Sequence, residues 1–346
     1  MAHDPRREDY QRLSLRFAEE LDKGDPADAA RAFASFGRRF AQDRDGLPQT
    51  DADRAFHLVA MASDVVDRRL PFASDEQAPD LIKRGKELLE EALRLDPACH
   101  DATRMLSSSR TASIDERYRF LSDHADEVRA SCEQARDQAL GELSDERAAL
   151  AADIAMRPYW RWLASLAEEA LICGRNRVAI DVSERLLASD PRDTSDVRFT
   201  LAYALAKLED LQGWLALTKR YAALASGRPA DDAWTLLAGA SLAFHNGNPM
   251  VARTGIEKLL RKYPGGAMTL IRQAELPDGE FARLHVAPYS EDELILAVSE
   301  GIVLLQEGTD RSGRGTFGAW VAREAARIDP KAAREAIAAG EGAQQS

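Results

Sequence analysis

The stretch that decides the fold reads Leu166-Ala-Glu-Glu-Ala-Leu-Ile-Cys-Gly-Arg-Asn-Arg-Val-Ala-Ile-Asp-Val-Ser-Glu-Arg-Leu-Leu-Ala-Ser-Asp-Pro191. Before Gly174, apolar residues recur at the i, i+3, i+4, i+7 spacing of one helix face, at Leu163, Leu166, Ala167 and Ala170. After Gly174 the helical spacing continues at Ala179, Val182 and Leu186, and Asp190-Pro191 ends the helix. The stretch therefore predicts two antiparallel helices joined by a turn at Gly174.

Helical spacing with similar stops recurs along the chain, and alternating strand patterns are almost absent. Segments with helical spacing end at Asp96-Pro97, Asp190-Pro191 and Asp329-Pro330. Three glycines fall where helices are expected to turn: Gly174, Gly227 and Gly247. The pattern predicts an all-α protein of short helices, each of which must bury its apolar stripe against a neighbour.

The spacing of the stops indicates a repeat. Pro191, Pro264 and Pro330 are 73 and 66 residues apart, close to twice the roughly 34-residue period of tetratricopeptide repeats. A small residue, Ala179 or Ala252, follows a turn glycine by five positions. We expect each of these alanines to lie between the two helices of a hairpin, because a small side chain lets the helices approach closely.

Residues 166–191 resemble a tetratricopeptide repeat. A second resemblance covers residues 130–320 and rests on four motifs: Arg157-Pro-Tyr-Trp-Arg, Gly174-Arg-x-x-x-Ala-Ile, Asp190-Pro-Arg-Asp-Thr-Ser-Asp-Val-Arg-Phe and Pro288-Tyr-Ser-Glu-Asp-Glu-Leu. These motifs look like those of the bacterial relatives of the suppression-of-tumorigenicity-seven family, with Ser189-Asp-Pro-Arg-Asp-Thr in place of that family's Asn-rich loop. The resemblance implies a right-handed superhelix of antiparallel helix pairs, with degenerate tetratricopeptide repeats.

The polar stretch 73–80, which contains Pro79, separates two predicted parts of the chain. Residues 1–72 are interpreted as N-terminal helices that cap the array. Residues 77–340 are interpreted as the repeat array itself, whose pairs contact mainly their neighbours and leave a concave face for a ligand.

The composition excludes some classes of partner. The 346 residues include 46 Lys and Arg against 58 Asp and Glu, a net charge of −12, whereas nucleic acid and anionic membranes require a basic surface. The three cysteines form no paired framework, and no apolar run is long enough to cross a membrane. With a charged N-terminus, these features predict a cytoplasmic protein that is not inserted into a membrane.

Motifs for cofactor or metal chemistry lack their required context. Gly313-Arg-Gly-Thr-Phe-Gly318 matches a phosphate-binding pattern, but no predicted strand precedes it, so we interpret it as a flexible loop before the last helices. The histidines and cysteines show no metal-ligand spacing. We expect no cofactor, no metal site and no catalytic residues.

The densest aromatic and basic cluster is Arg157-Pro-Tyr-Trp-Arg-Trp162. In one interpretation its guanidinium groups bind a carboxylate of a partner and its rings hold an apolar group. The candidate residues for this groove are Arg157, Tyr159, Trp160, Arg161, Arg198 and Trp234. In the other interpretation, Trp160 or Trp162 is core, and Pro158 opens the helix with Arg157 as its cap.

These patterns favour a non-catalytic scaffold that presents a concave groove to a peptide or helix of a partner protein. The alternative is a small-molecule or enzymatic pocket near Tyr159, Trp160 and Arg198. A self-assembling structural protein is a third hypothesis. We expect a monomer or a weak homodimer.

Overall fold

The computed structural model describes residues 4–21, 26–70, 73–142, 145–223, 231–273, 286–309 and 313–343. Of these residues 81% are helical and none forms a strand. The prediction of an all-α protein is therefore confirmed. The helices pack against their neighbours in two compact units, an N-terminal one that ends at Ser165 and a C-terminal one that begins at Leu166.

The described residues of the N-terminal unit form six α-helices and most of a seventh. They are α1 (Pro5–Leu21), α2 (Pro26–Gln42), α3 (Asp51–Ser63), α4 (Ala78–Leu95), α5 (His100–Arg110), α6 (Ile114–Glu142) and α7 (Asp145–Ile172). A 3₁₀ turn (Arg44–Gly46) precedes α3, and a π-helical segment (Asp64–Arg69) follows it. Residues 71–72, where the predicted N-terminal cap ends, lie outside the described residues, and the division into cap and array stays a prediction.

The C-terminal unit contains the end of α7 and the helices that follow it. They are α8 (Asn176–Ser189), α9 (Val197–Lys207), α10 (Leu211–Ala223), α11 (Ala233–His245), α12 (Pro249–Lys262), α13 (Ala267–Ile271), α14 (Glu291–Glu300), α15 (Ile302–Leu305), α16 (Thr316–Ile328) and α17 (Pro330–Ala343). Helix α9 packs on α8, α10 and α11, and α11 packs in turn on α12.

Three turns of the C-terminal unit share one backbone geometry. Gly174, Glu209 and Gly247 adopt left-handed conformations with φ of 70°, 56° and 71°. At each turn the next N–H donates to a carbonyl five residues earlier, from Arg175 to Ala170, Asp210 to Leu205 and Asn248 to Ala243, at 2.8–2.9 Å. This pattern satisfies the last carbonyls of a helix before the chain reverses. The left-handed residues are 35 and 38 positions apart.

The predicted stops and small residues are found where the sequence placed them. Asp96, Asp190 and Asp329 cap the C-terminal ends of α4, α8 and α16. Ala179 and Ala252 are fully buried, and α12, which carries Ala252, packs on α11. Gly227, the third predicted turn glycine, lies outside the described residues.

The interpretation that Pro158 opens a helix is wrong. Pro158 lies in the interior of α7, and residues on both sides of it are helical. Arg157, in the turn before the proline, bonds Asp153 at 2.7 Å in an i, i+4 pair that stabilises that turn. Arg157 is consequently not a cap, and it shares a helix face with Arg161.

The Gly-rich stretch is packed against the chain rather than held out as a loop. The N–H of Gly315 donates to the Leu305 carbonyl at 2.7 Å, and Gly318 lies inside α16 with its carbonyl bonded to Gln273 at 3.0 Å. A Cβ on Gly315 would collide with the Glu307 backbone, and one on Gly318 with the Leu305 carbonyl. Close packing therefore accounts for both glycines.

We predict that Ala252→Leu lowers the free energy of unfolding by about 1–3 kcal/mol, because the larger side chain overpacks the contact between α11 and α12. The control is Val251→Leu on the neighbouring residue, which is 55% exposed and should change stability by no more than about 0.5 kcal/mol. Denaturant midpoints measure both. Equal midpoints for the wild type and Ala252→Leu would contradict the assignment of this hairpin contact.

Candidate interaction surface

None of the six predicted groove residues is exposed. Tyr159, Trp160, Arg198 and Trp234 are buried, at 5% exposure or less. The side chains of Arg157 and Arg161 keep only 17% and 10% of their surface. The expectation that these residues line an accessible groove is therefore wrong for their side chains in this structure.

Arg161 is enclosed by two carboxylates of the N-terminal unit. Its Nε and Nη2 donate to the two oxygens of Asp101 at 2.7 and 2.5 Å, and its Nη1 donates to Glu8 at 2.9 Å. One turn earlier on α7, Nη1 of Arg157 lies 3.4 Å from the same Glu8 oxygen. The pair predicted to bind a partner's carboxylate thus binds carboxylates of α1 and α5.

The ion pairs of this cluster control its protonation. Burial raises the pKa of Asp101, but the charge and hydrogen bonds of Arg161 outweigh burial and lower it to about 2. Burial lowers the pKa of Arg161, and Asp101 and Glu8 together raise it above its ordinary value. Both groups are charged at neutral pH, so the cluster joins three helices through charge-assisted hydrogen bonds.

Arg198 is the centre of a second cluster, in the C-terminal unit. Its side chain is fully buried, with Nη1 3.1 Å from Asp193 and Nη2 3.3 Å from Asp196. Its guanidinium lies over the rings of Phe199 and Tyr221, at 4.7 and 4.3 Å from their centroids. The carboxylates and the aromatic rings that contact Arg198 therefore all belong to the C-terminal unit.

Phe199 brings two of the predicted residues together. The Phe199 ring makes the cation–π contact with Arg198. The same ring stacks on the Trp234 ring, with centroids 4.0 Å apart and planes 11° from parallel. The indole N–H of Trp234 donates to Glu300 of α14 at 2.7 Å. Trp234 is thus covered by a later helix of its own chain.

Helices α14 and α15 cover α11 and α9. The hydroxyl of Tyr203 on α9 donates to the Ala297 carbonyl on α14 at 2.6 Å. All residues of α9 from Val197 to Ala206 are buried, and so are nearly all those of α11 from Ala233 to Leu242. The helices that carry the groove candidates Arg198 and Trp234 are therefore interior helices.

Exposed apolar side chains concentrate at and after the three hairpin turns, and we call this set the hairpin edge. Their exposed fractions range from 40% to 65%, and they are Ile172, Leu208, Leu211, Leu215, Met250 and Val251. Two of these turns join helices that pack on each other, α9 with α10 and α11 with α12, and α9 packs on α11.

Helix α10 shows why the sequence could have revealed this surface. Its buried or half-buried apolar residues Trp214, Leu217 and Tyr221 follow one another at i, i+3, i+7. Leu211 and Leu215 lie on a second face of α10, more than a quarter of a turn from the first, and stay exposed. Leu208, which precedes the helix, is exposed as well. A helix with two apolar stripes has one more than its own core needs, and that is the signal that points to an external contact.

Charged groups flank the hairpin edge. Arg177, in the first turn of α8, and Glu209, at the turn before α10, are both exposed. Asp210 is also exposed but accepts the Gly213 N–H at 2.8 Å as a helix cap. The edge therefore has charged side chains beside its apolar ones, with Arg177 and Glu209 in different hairpins.

No protein-family model matches the chain, and no curated protein is similar to it. The resemblance to tetratricopeptide repeats stays a prediction. Within the described parts of the chain, every helix is too short or too polar to cross a bilayer, and no group of three metal-ligating side chains comes together.

We predict that Arg161→Met lowers stability by about 3 kcal/mol, because the buried Asp101 would keep only its longer contact with Arg104 and the buried Glu8 would lose one of its three arginines. Adding Asp101→Asn should recover part of that loss. The exposed Arg94 serves as control, and Arg94→Met should change stability by less than about 1 kcal/mol. An Arg161→Met variant as stable as wild type would mean that this arginine is free to bind a partner.

Because the pKa of Asp101 is lowered, part of the stability that this cluster contributes depends on pH in the acid range. Because the folded-state pKa lies below the ordinary value, the stabilisation is present above about pH 4 and is lost as the pH falls towards 2, by about 2 kcal/mol. Asp101→Asn should flatten the acid limb of a stability–pH curve. An unchanged acid limb would contradict the assignment.

Asp232, the N-cap of α11, should give a pH dependence of stability with the opposite sign. Burial raises its pKa to about 6, although the Thr235 N–H and Arg198 lower it. The fold thus favours the protonated form, and stability should fall by up to about 3 kcal/mol as the pH rises from about 4, where the unfolded carboxyl ionises, to about 6, where the folded one does. Asp232→Asn keeps a capping side chain and should reduce this decline between pH 4 and 6.5, whereas Asp210→Asn, at an exposed cap, should not.

Proposed function

We propose that the protein is a non-catalytic binding scaffold whose C-terminal unit is a right-handed superhelix of degenerate tetratricopeptide repeats. The observation that carries the proposal is the recurrence of one turn geometry at Gly174, Glu209 and Gly247, 35 and 38 residues apart. These intervals lie close to the roughly 34-residue period of such repeats. The packing of α9 on α8 and α11 has the neighbour-to-neighbour pattern of a repeat array.

The hairpin edge is the surface we assign to the partner. The inward-facing candidates are occupied, Arg161 and Arg198 by internal carboxylates and Trp234 by Glu300. The apolar side chains of the edge are the ones that gain most from leaving water, at about 25 cal/mol for each Å² of apolar surface buried. Binding by a repeat array through its turns then replaces binding through a concave groove.

The partner is a helix of another protein with an apolar stripe. Leu211 and Leu215 share one face of α10, and Leu208 lies at the turn before that helix; a second amphipathic helix can pack along such a face. Arg177 and Glu209 fix the orientation of that helix, since a carboxylate belongs near the first and a cation near the second.

Site-specific photo-crosslinking in the native cell tests the proposal. A photoreactive amino acid at position 215 or 250 should capture a defined protein through one of its helices. The matched control is position 337, because Ile337 is 63% exposed on α17 of the same unit. Adducts of equal yield at 337, or none at 215 and 250, would contradict the proposal, and adducts between two copies of this chain would make it a self-assembling protein.

We further predict that Leu211→Asp combined with Leu215→Glu weakens partner binding by roughly thirtyfold or more, the effect of losing a central apolar contact. The thermal midpoint should stay close to that of wild type, since both side chains are exposed and an aspartate is favourable in the first turn of a helix. Binding of the isolated partner is measured by calorimetry, with Ile337→Glu as control. Undiminished binding would move the partner to another surface.

A further inference from the structure

A cavity of about 510 Å³ opens between α1, α2 and the 3₁₀ turn of the N-terminal unit. Its volume falls in the range of small-ligand sites, roughly 300–1,000 Å³. Five apolar residues line it, namely Phe17, Leu21, Ala32, Leu47 and Pro48. The site is separate from the hairpin edge and has no part in the function proposed above.

The apolar lining belongs to a small core cluster. Leu13, Phe17, Phe36 and Leu47 are buried together, and Leu21 packs against them. The rings of Phe17 and Phe36 are 5.2 Å apart. The cavity is thus the place where this cluster reaches the surface, and its floor is held in position by the core beneath it.

Two opposite charges lie on the rim. Glu20 and Arg39 both line the cavity and both are exposed. The guanidinium of Arg39 lies over the Phe17 ring, 5.2 Å from its centroid. Among the residues that the structure describes, neither Glu20 nor Arg39 has an ion-pair partner.

Other arginines of the N-terminal unit form ion pairs with carboxylates. Arg12 binds Glu8, Arg44 binds Asp9, and even the half-exposed Arg16 reaches Asp53. An arginine held over an aromatic ring without a carboxylate keeps its N–H donors for a ligand. The carboxylate of Glu20, on the same rim, keeps its acceptors in the same way.

We propose that this cavity binds a free α-amino acid with a large apolar side chain. Arg39 binds the α-carboxylate, Glu20 binds the α-ammonium, and the side chain lies on Phe17 and Leu47. A phosphate would be repelled by Glu20, and a metal cation would find one carboxylate and a neighbouring guanidinium. A ligand without charges would leave both rim groups unused.

Three matched probes separate the two charges of the ligand. Phenylalanine carries both, 3-phenylpropionate carries only the carboxylate, and 2-phenylethylamine carries only the ammonium. Calorimetric or NMR titration of the full chain should show saturable binding of phenylalanine, tighter than either other probe by roughly tenfold or more, as one charge-assisted contact contributes.

Two variants should each remove one of the two charge contacts. Arg39→Gln should weaken phenylalanine and 3-phenylpropionate and leave 2-phenylethylamine unchanged. Glu20→Gln should weaken phenylalanine and 2-phenylethylamine and leave 3-phenylpropionate unchanged or tighter. Arg38→Gln, on the exposed residue beside Arg39, is the matched control and should change none of the three affinities.

Three results would overturn the proposal. The first is no saturable binding of phenylalanine at millimolar concentration to a chain whose helical circular dichroism is intact. The second is equal affinity for phenylalanine and for a probe that lacks one charge. The third is loss of binding in Arg38→Gln as large as in Arg39→Gln. Because none of these variants touches the hairpin edge, their failure leaves the scaffold proposal standing.

Discussion

A guanidinium has five N–H donors and a permanent charge, so an arginine can enter a protein interior only where carboxylates or aromatic faces surround it. Both units are built around this constraint. In the N-terminal unit, Arg161 draws Glu8 of α1 and Asp101 of α5 onto α7. In the C-terminal unit, Arg198 holds the loop before α9 through Asp193 and Asp196 and lies against Tyr221 of α10. Each arginine links segments that helical periodicity alone would leave independent.

The same constraint decides where binding can occur. An arginine that already holds two internal carboxylates gains little by exchanging one of them for a partner's, because the released carboxylate would remain buried and alone. Apolar side chains at the surface have no such competing partner. The buried charges therefore fix the helices, and in our proposals contact with other molecules is made by exposed groups, such as Leu215 and Met250 at the hairpin edge and Arg39 at the cavity.

The local features of the fold could be predicted from sequence because they depend on neighbouring residues. The stops at Asp96, Asp190 and Asp329, the turns at Gly174 and Gly247 and the burial of Ala179 and Ala252 follow from backbone preferences and helical spacing. The partners of Arg161 could not be predicted in the same way. Glu8 is 153 positions away, and a pattern of period 3.6 shows which face a side chain takes but not what covers that face.

Two interpretations from the sequence are wrong for different physical reasons. In one of them Pro158 starts a helix because proline lacks an N–H, yet local side-chain bonds such as Arg157 to Asp153 stabilise the turn before it. In the other, Arg198 on α9 and Trp234 on α11 line a groove, yet α14 and α15 pack on these helices. The first preference is outweighed by a contact within one turn, and the second by contacts with later helices. The low apolar periodicity of α9, which is buried nearly all round, is the feature that distinguishes an interior helix from a groove-lining one.

The buried ion pairs also determine the charge that a partner meets. Arg161 and Arg198 are each paired with carboxylates inside the protein, and the chain as a whole carries a net charge of −12. A partner that approaches the hairpin edge through this negative field associates faster when it carries positive charge, and the acceleration falls as salt screens it over a Debye length of about 8 Å at physiological ionic strength. The apolar contacts at Leu208, Leu211 and Leu215 are insensitive to that screening. Salt should therefore slow the encounter while leaving most of the dissociation rate unchanged, which is the kinetic pattern of a surface that attracts by charge and holds by apolar burial.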